Sequence, residues 1–182
     1  MKENTTEYVI LGILRNKSRT GYDINKVVKT RLGPFWDINY SQIYPTLREL
    51  EKGGAITKRV EINERGQNRK VYSITNEGKN KLKEWLLKPA KPEKHKIELM
   101  LKIGFGEQVS NTELIKQVQA FRERHVAQLE NVYRIENELK AQLDQNEANY
   151  FMLLSVELGA KFHLSAVDWA DTTITKLRSR DK

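Results

Sequence analysis

YSQIYPTLRELEKGG, residues 40–54, has the spacing of a helix and yet carries a proline a few residues in. Set at 3.6 residues per turn, Ile43, Leu47 and Leu50 stack at i, i+4 and i+7 as a stripe to be buried. Ser41, Pro45, Arg48 and Lys52 fall on the opposite face, flanked by Gln42, Tyr44 and Glu49, with Tyr40 leading in. Ser41 reads as the N-cap, which sets Pro45 where a helical N–H is first missed, at a lower cost than in a helix interior. Gly53-Gly54 supplies a left-handed C-cap and an exit. A helix made only to fill a core has no use for such an outer face. This one presents it to something.

The flanks say what kind of domain holds that helix. Upstream, residues 5–15 form a compact apolar run of helical length. Thr20, with Asp23 three residues on, resembles a capping box opening a second helix, whose Tyr22, Ile24, Val27, Val28 and Leu32 make a broad apolar face. Gly33-Pro34 stops it. Downstream, AITKRVEI (55–62) alternates, with Ile56, Val60 and Ile62 sharing one face with Lys58, and Thr57, Arg59 and Glu61 sharing the other. NERGQN is a turn in which Gly66 takes positive φ, and RKVYSIT (69–75) returns as the second strand. Thr75 then caps a helix with Leu82, Trp85 and Leu86 as its apolar stripe. Helix, helix, a helix with a polar and basic outer face, then a basic two-stranded ribbon is the order of a winged helix-turn-helix.

KPAKPEKHK (88–96) has two of the four prolines and no apolar periodicity, marking the joint between a first domain, 1–90, and a second, 91–182. After a short helix over 95–107, Ser110, Asn111, Thr112 and Glu113 spell a capping box. They open a helix of about 33 residues, roughly 50 Å long. Its apolar positions are Leu114, Val118, Phe121, Leu129, Val132, Ile135, Leu139 and Leu143. A last helix spaces Phe151, Leu154, Leu158, Phe162, Trp169, Thr173 and Leu177 by threes and fours. Two such helices expose more apolar surface than the second half can cover, and the simplest cover is another copy of the chain. The expected fold class is therefore mainly α with a small β-hairpin, a winged helix-turn-helix domain followed by a helical dimerisation domain.

Charge points to the partner of the first half. The net charge of +8 is lopsided: residues 1–92 carry 19 Lys/Arg against 10 Asp/Glu, and residues 93–182 carry 13 against 14. One half is thus suited to a polyanion and the other is not. On the polar-faced helix, Gln42 suits adenine, Arg48 suits guanine or phosphate, and Ser41 and Tyr44 suit phosphate oxygens. Lys58, Arg59, Arg65, Arg69 and Lys70 lie on or beside the hairpin, a cationic tip fit for phosphates or a minor groove. Singly, each charge is as readily a solvated face or an edge-strand guard. Jointly, with the charge split and the helix order, they point to double-stranded DNA.

Other classes fit poorly. Charged residues at 31% and hydrophobic ones at 38% describe a soluble folded chain. The longest apolar run, YVILGIL (8–14), is far below the roughly 20 residues of a membrane span. No basic segment followed by an apolar stretch opens the chain, so cytoplasm is the expected location. Without cysteine there is no disulfide framework and no thiolate chemistry. His95, His125 and His163 lack a second ligand at i+3 or i+4, and GFG (104–106) lacks the spacing of a phosphate loop and a strand before it. No enzyme, metal or cofactor is expected. A protein-interaction module on a winged-helix scaffold, without sequence-specific DNA binding, would show a neutral wing and helix, and this chain has neither. Phe35, Trp36, Trp85, Phe162 and Trp169 are first of all core candidates, and secondly the lining of a pocket for a small aromatic effector between the halves.

FWDINYSQIYPTLRELEKGGAI (35–56), followed by RKVYSITNEGKNKL (69–82), resembles the PadR (phenolic acid decarboxylase regulator) family of bacterial transcription regulators. In that family a Phe-Trp pair, then Ser-Gln-Ile-Tyr-Pro, then a Leu-x-x-Leu helix and Gly form the recognition segment. GYDINK (21–26) and the Thr75-x-x-Gly78 spacing match as well. The wing here reads Gly66, Gln67, Asn68, Arg69, Lys70, where the family often has Gly-x-Pro-Arg-Lys. The resemblance spans residues 8–87, and the second half has the layout of the family's longer helical carboxy-terminal domain. It implies a dimeric repressor with dimer contacts from the C-terminal helices and an inverted-repeat operator.

Overall fold

Asn4 opens the first helix, α1 (Thr5–Leu14), its side chain accepting from the Thr6 N–H at 3.2 Å. The structure is a computed structural model and describes residues 4–32, 36, 38–62, 66, 68–93 and 96–180. It divides into two compact units, Met1–Pro92 and Glu93–Lys182.

In the first unit, β1 (Arg19–Thr20) leads into α2 (Gly21–Val27), where Thr20 and Asp23 form the full reciprocal capping box. The helix continues as a wider π turn over Val28–Leu32. After α3 (Tyr40–Lys52) come β2 (Ile56–Ile62), β3 (Asn68–Ile74) and α4 (Asn76–Leu86). The sheet has three antiparallel strands in the order β1-β3-β2, one more than the expected hairpin. Two residues are too few to show a period, which is why β1 left no trace in the pattern. The core gathers Ile10, Leu11, Leu14, Ile24, Ile43, Leu47, Leu50 and Ile56, with Trp85 packed on its edge. Three expected core residues are outside it: Tyr22 on α2, Trp36, and Leu86 on α4 are all exposed.

The exit of α3 fixes where its outer face points. Gly54 takes φ of +73°. The N–H groups of Gly54 and Ala55 then donate to the carbonyls of Glu51 and Leu50 at 3.0 and 2.9 Å, the reciprocal pair of a Schellman motif. Thr75 locks that turn from the other side. Its hydroxyl donates to the Gly54 carbonyl at 2.7 Å, its N–H donates to the Ala55 carbonyl at 3.1 Å, and it caps α4 by accepting from the Gly78 N–H. A single threonine thus ties helix exit, strand start and next helix together.

The second unit holds α5 (Glu98–Gly104), α6 (Asn111–Lys140) and α7 (Glu147–Arg180). Ser110 accepts from the Glu113 N–H as the N-cap of α6, while the Glu113 carboxylate is taken by Lys116. The long pair α6 and α7 packs along two apolar clusters, one around Val132, Ile135, Leu139, Leu153 and Val156, the other around Leu99, Val118, Phe121, Ala170 and Ile174. Arg122 crosses to Asp171 with two hydrogen bonds, the shorter 2.6 Å. The expected stripe of α7 is only partly used, since Phe151, Leu154, Leu158 and Phe162 stay exposed.

Between the clusters, the rings of His125 and His163 meet Nδ1 to Nδ1 at 2.9 Å, with Phe121 and Phe162 against His125. Partial burial, then the His163 and Arg124 charges, hold the His125 pKa below the ordinary 6.5. The folded chain therefore resists a proton that the unfolded chain accepts, so stability is lost as pH falls from the unfolded value toward the lower folded one. We expect the melting temperature to drop from about pH 7.5 to about pH 5.5, and less so in His125→Gln, which keeps a hydrogen-bonding side chain without titrating. Equal slopes in the two proteins would remove His125 from the account.

Candidate nucleic-acid interface

On α3 the buried stripe is Ile43, Thr46, Leu47 and Leu50. Its outer face exposes Tyr40, Ser41, Gln42, Tyr44, Pro45, Arg48 and Lys52, as expected from the wheel. The cap is one difference. Asn39, not Ser41, is the N-cap, and its side-chain oxygen accepts from both the Ser41 N–H at 3.0 Å and the Ser41 hydroxyl at 2.9 Å. The helix starts earlier, so Pro45 lies beyond the first turn and denies a donor to the Ser41 carbonyl. Ser41 contributes a hydroxyl already engaged by Asn39, leaving its own oxygen as an acceptor.

Tyr40 and Tyr44 form a unit on the leading end. Their rings meet edge to face at 5.6 Å and the Tyr40 hydroxyl donates to that of Tyr44 at 3.3 Å. The Tyr44 ring also lies where a Cβ on Gly21 would come within 2.7 Å, so the absence of a side chain at the start of α2 is what lets Tyr44 settle there. Glycine in GYDINK thereby has a steric reason tied to this face.

The hairpin sorts its charges by face. Register places Glu61 opposite Arg69, and Arg69 makes two hydrogen bonds to one Glu61 oxygen at 2.9 and 3.3 Å. Arg59 reaches the other oxygen at 2.7 Å. Arg69, then Arg59, hold the Glu61 carboxyl below the usual carboxylate range. This trio borders a cleft of about 430 Å³ whose lining also includes Lys17, Arg19 and Asp23. On the other face Lys58 bonds to Glu51 of α3 at 2.9 Å, while Lys70 stands exposed. Three of the expected cations, Lys58, Arg59 and Arg69, are therefore matched internally. Arg48, Lys52 and Lys70 have no carboxylate partner among the described residues. Arg65 lies outside the described residues.

The expected effector residues belong to both units, Trp36 and Trp85 to the first and Phe162 and Trp169 to the second. Trp85 stacks on Tyr8 with ring centres 4.8 Å apart and nearly parallel planes, belonging to the first unit's core. Trp169 packs edge-on to Phe121 in the second unit's core. Trp36 and Phe162 are exposed, each on its own unit, and Phe35 lies outside the described residues. Sequence reasoning missed Asn39, Glu61 and Gly21. An Asn two residues before a Ser was the only visible hint of the first, and the second needed the strand register.

Residues 10–84 match the transcriptional regulator PadR-like family, and residues 95–178 match the virulence activator alpha C-terminal model. The chain is 38% identical over 131 residues to the negative transcriptional regulator PadR of Bacillus subtilis, covering 70% of this chain and 72% of that one. The crystal structure of Bacillus subtilis PadR in complex with operator DNA superposes with a TM-score of 0.81 at 30% identity, covering 96% of this chain and 99% of that one. The complex of the same protein with p-coumaric acid gives 0.78 at 29% identity, over 96% and 99% of the two chains. The fold thus agrees with the sequence kinship, and the chain belongs to the PadR-like family of transcriptional regulators.

Proposed function

We propose that this regulator is a dimeric repressor that binds an inverted-repeat operator, with α3 in the major groove and the wing on the backbone or minor groove. The observation that carries this reading is the exposed outer face of α3, with Gln42, Arg48 and Lys52, together with exposed Lys70 on the wing, the three cations having no carboxylate partner among the described residues. Gln42 and Arg48 are assigned to base edges. Tyr40, Ser41, Tyr44, Lys52, Lys58, Arg65, Arg69 and Lys70 are assigned to phosphates, and Pro45 to shaping the helix between them. The exposed stripe of α7 supports dimerisation through the C-terminal helices, with half-sites about one helical turn apart, roughly 34–36 Å. A small aromatic effector is the proposed signal for release, by kinship with the relative that binds p-coumaric acid. No helix among the described residues is long and apolar enough to cross a membrane, and the proposed place of action is the cytoplasm.

The helix and the wing should fail differently. A good bidentate base contact is worth about 1–3 kcal/mol of discrimination. Gln42→Ala is therefore expected to relax preference at one base position in each half-site. Arg69→Ala with Lys70→Ala is expected to weaken all sequences alike and to flatten the salt dependence, by roughly one unit of slope for each phosphate no longer neutralised. The measurement is a titration across salt concentrations on a panel of single-base variants of a duplex selected by the protein. A uniform loss for Gln42→Ala together with altered base preference for the wing pair would reverse the assignment. Equal affinity for selected and scrambled duplexes would remove specific reading altogether.

A further inference from the structure

The face of the hairpin that carries the core does not stop where the core stops. From base to tip its cross-strand pairs are Ile56 with Ile74, Lys58 with Tyr72, Val60 with Lys70, and Ile62 with Asn68. Ile56 and Tyr72 are buried. Val60 and Ile62, next along the same face, are 59% and 73% exposed. They sit on β2, an edge strand, where soluble proteins ordinarily place charge or proline to prevent association. An uncovered β-branched pair there calls for an occupant.

The surrounding charge says which one. Lys70 stands directly across from Val60, exposed and without a carboxylate partner among the described residues. Lys58, one pair nearer the base, bonds to Glu51 of α3 at 2.9 Å, so this face of the hairpin abuts the polar helix. On the opposite face Arg59 and Arg69 are tied to Glu61, and on this one Lys58 is tied to Glu51, which leaves Lys70 as the hairpin cation without a carboxylate partner among the described residues. The apolar pair thus lies on the face that retains free positive charge. Apolar side chains against sugars and base steps, with cations on the flanking phosphates, is the contact set of a minor-groove wedge.

We propose that Val60 and Ile62 form such a wedge, inserted into the minor groove with Lys70 on the adjoining phosphate. The proposal rests on the DNA-binding reading above and adds an apolar, salt-insensitive component to it. Both side chains are exposed, so Val60→Thr with Ile62→Thr keeps β-branching and leaves the core intact.

The test uses the full-length chain and a duplex selected by it from a random pool, titrated across salt. The wedge requires the double variant to bind about tenfold more weakly at every salt concentration, with an unchanged salt slope. Lys70→Ala should instead flatten the slope by about one unit. Unchanged affinity in the double variant overturns the wedge. So does reduced self-association of that variant in sedimentation without DNA, which would make β2 a strand-pairing edge between copies. If the unmodified chain binds no duplex in a salt-dependent way, it is the DNA-binding reading that fails, and the wedge goes with it.

Discussion

Cut after Lys91, the chain should still fold as a winged helix but lose operator affinity by about two to four orders of magnitude. The first unit has its own core, built from Ile10, Leu11, Leu14, Ile24, Ile43, Leu47, Leu50 and Ile56, and among the described residues that core draws on none beyond Pro92. What truncation removes is the second copy. Two half-site contacts held on one dimer make the second contact intramolecular, and a lone unit forfeits that effective concentration. The full-length chain supplies an independent check. Phe151, Leu154, Leu158 and Phe162 are 59%, 48%, 71% and 46% exposed along one side of α7, spaced by threes and fours. Glutamate at both Leu154 and Leu158 puts charge where the proposed partner helix packs, while the inward residues Leu153, Val156 and Ala160 are untouched. Sedimentation of the double variant should show a monomer at micromolar concentration, with helical content kept and operator binding reduced as far as in the truncated chain. A truncated chain binding as tightly as the whole would refute the role given to the second unit.

The parts of this protein legible in the sequence are those governed by local period. Ile43, Leu47 and Leu50 announce the buried stripe of α3, and Thr20 with Asp23 announces the start of α2, because each needs only spacing along one helix. Gly54 and Gly66 are legible for a similar reason, since positive φ is cheap only for glycine. What escapes depends on pieces meeting across the chain. Lys58 and Arg69 read as free cations because nothing local says that Glu51 reaches back over the turn, or that register sets Glu61 against Arg69. Ser41 reads as the cap ahead of Asn39 because both are good N-cap residues, and a proline is cheapest in the first turn. Tyr22 and Leu86 join the apolar stripes on periodicity alone, although a stripe broader than its neighbour leaves its margin in water. Val60 and Ile62 show the same limit from the other side. Alternation gives their face correctly but not where along the strand the core ends.

Gly78→Ala is expected to destabilise the first unit by about 2–4 kcal/mol, a large effect for one methyl group on a helix. In most helices this substitution stabilises by up to about 1 kcal/mol, because alanine loses less backbone freedom on folding. Here a Cβ would sit 2.1 Å from the carbonyl oxygen of Ala55 and 2.9 Å from the Cγ1 of Ile74. The first obstacle is backbone, and it does not swing aside as a side chain does. Moving it breaks the bond from the Thr75 N–H to the Ala55 carbonyl and strains the one from the Thr75 hydroxyl to Gly54. Those bonds hold the Schellman turn at the end of α3, so the damage extends to the helix assigned to the major groove. This is the physical content of the Thr75-x-x-Gly78 spacing: threonine caps α4 and clasps the turn, and glycine lets α4 come close enough for both. Gly12→Ala on α1 is the control, since a Cβ there meets nothing within 4 Å and should be neutral or mildly stabilising. At about 4–8 °C per kcal/mol for a unit of this size, the two alanine variants should differ in melting temperature by roughly 10 °C or more. Operator binding of Gly78→Ala, measured well below its own melting temperature, should weaken as well. A Gly78→Ala protein that melts with the unmodified chain would mean that α4 and the exit of α3 are not clasped as described.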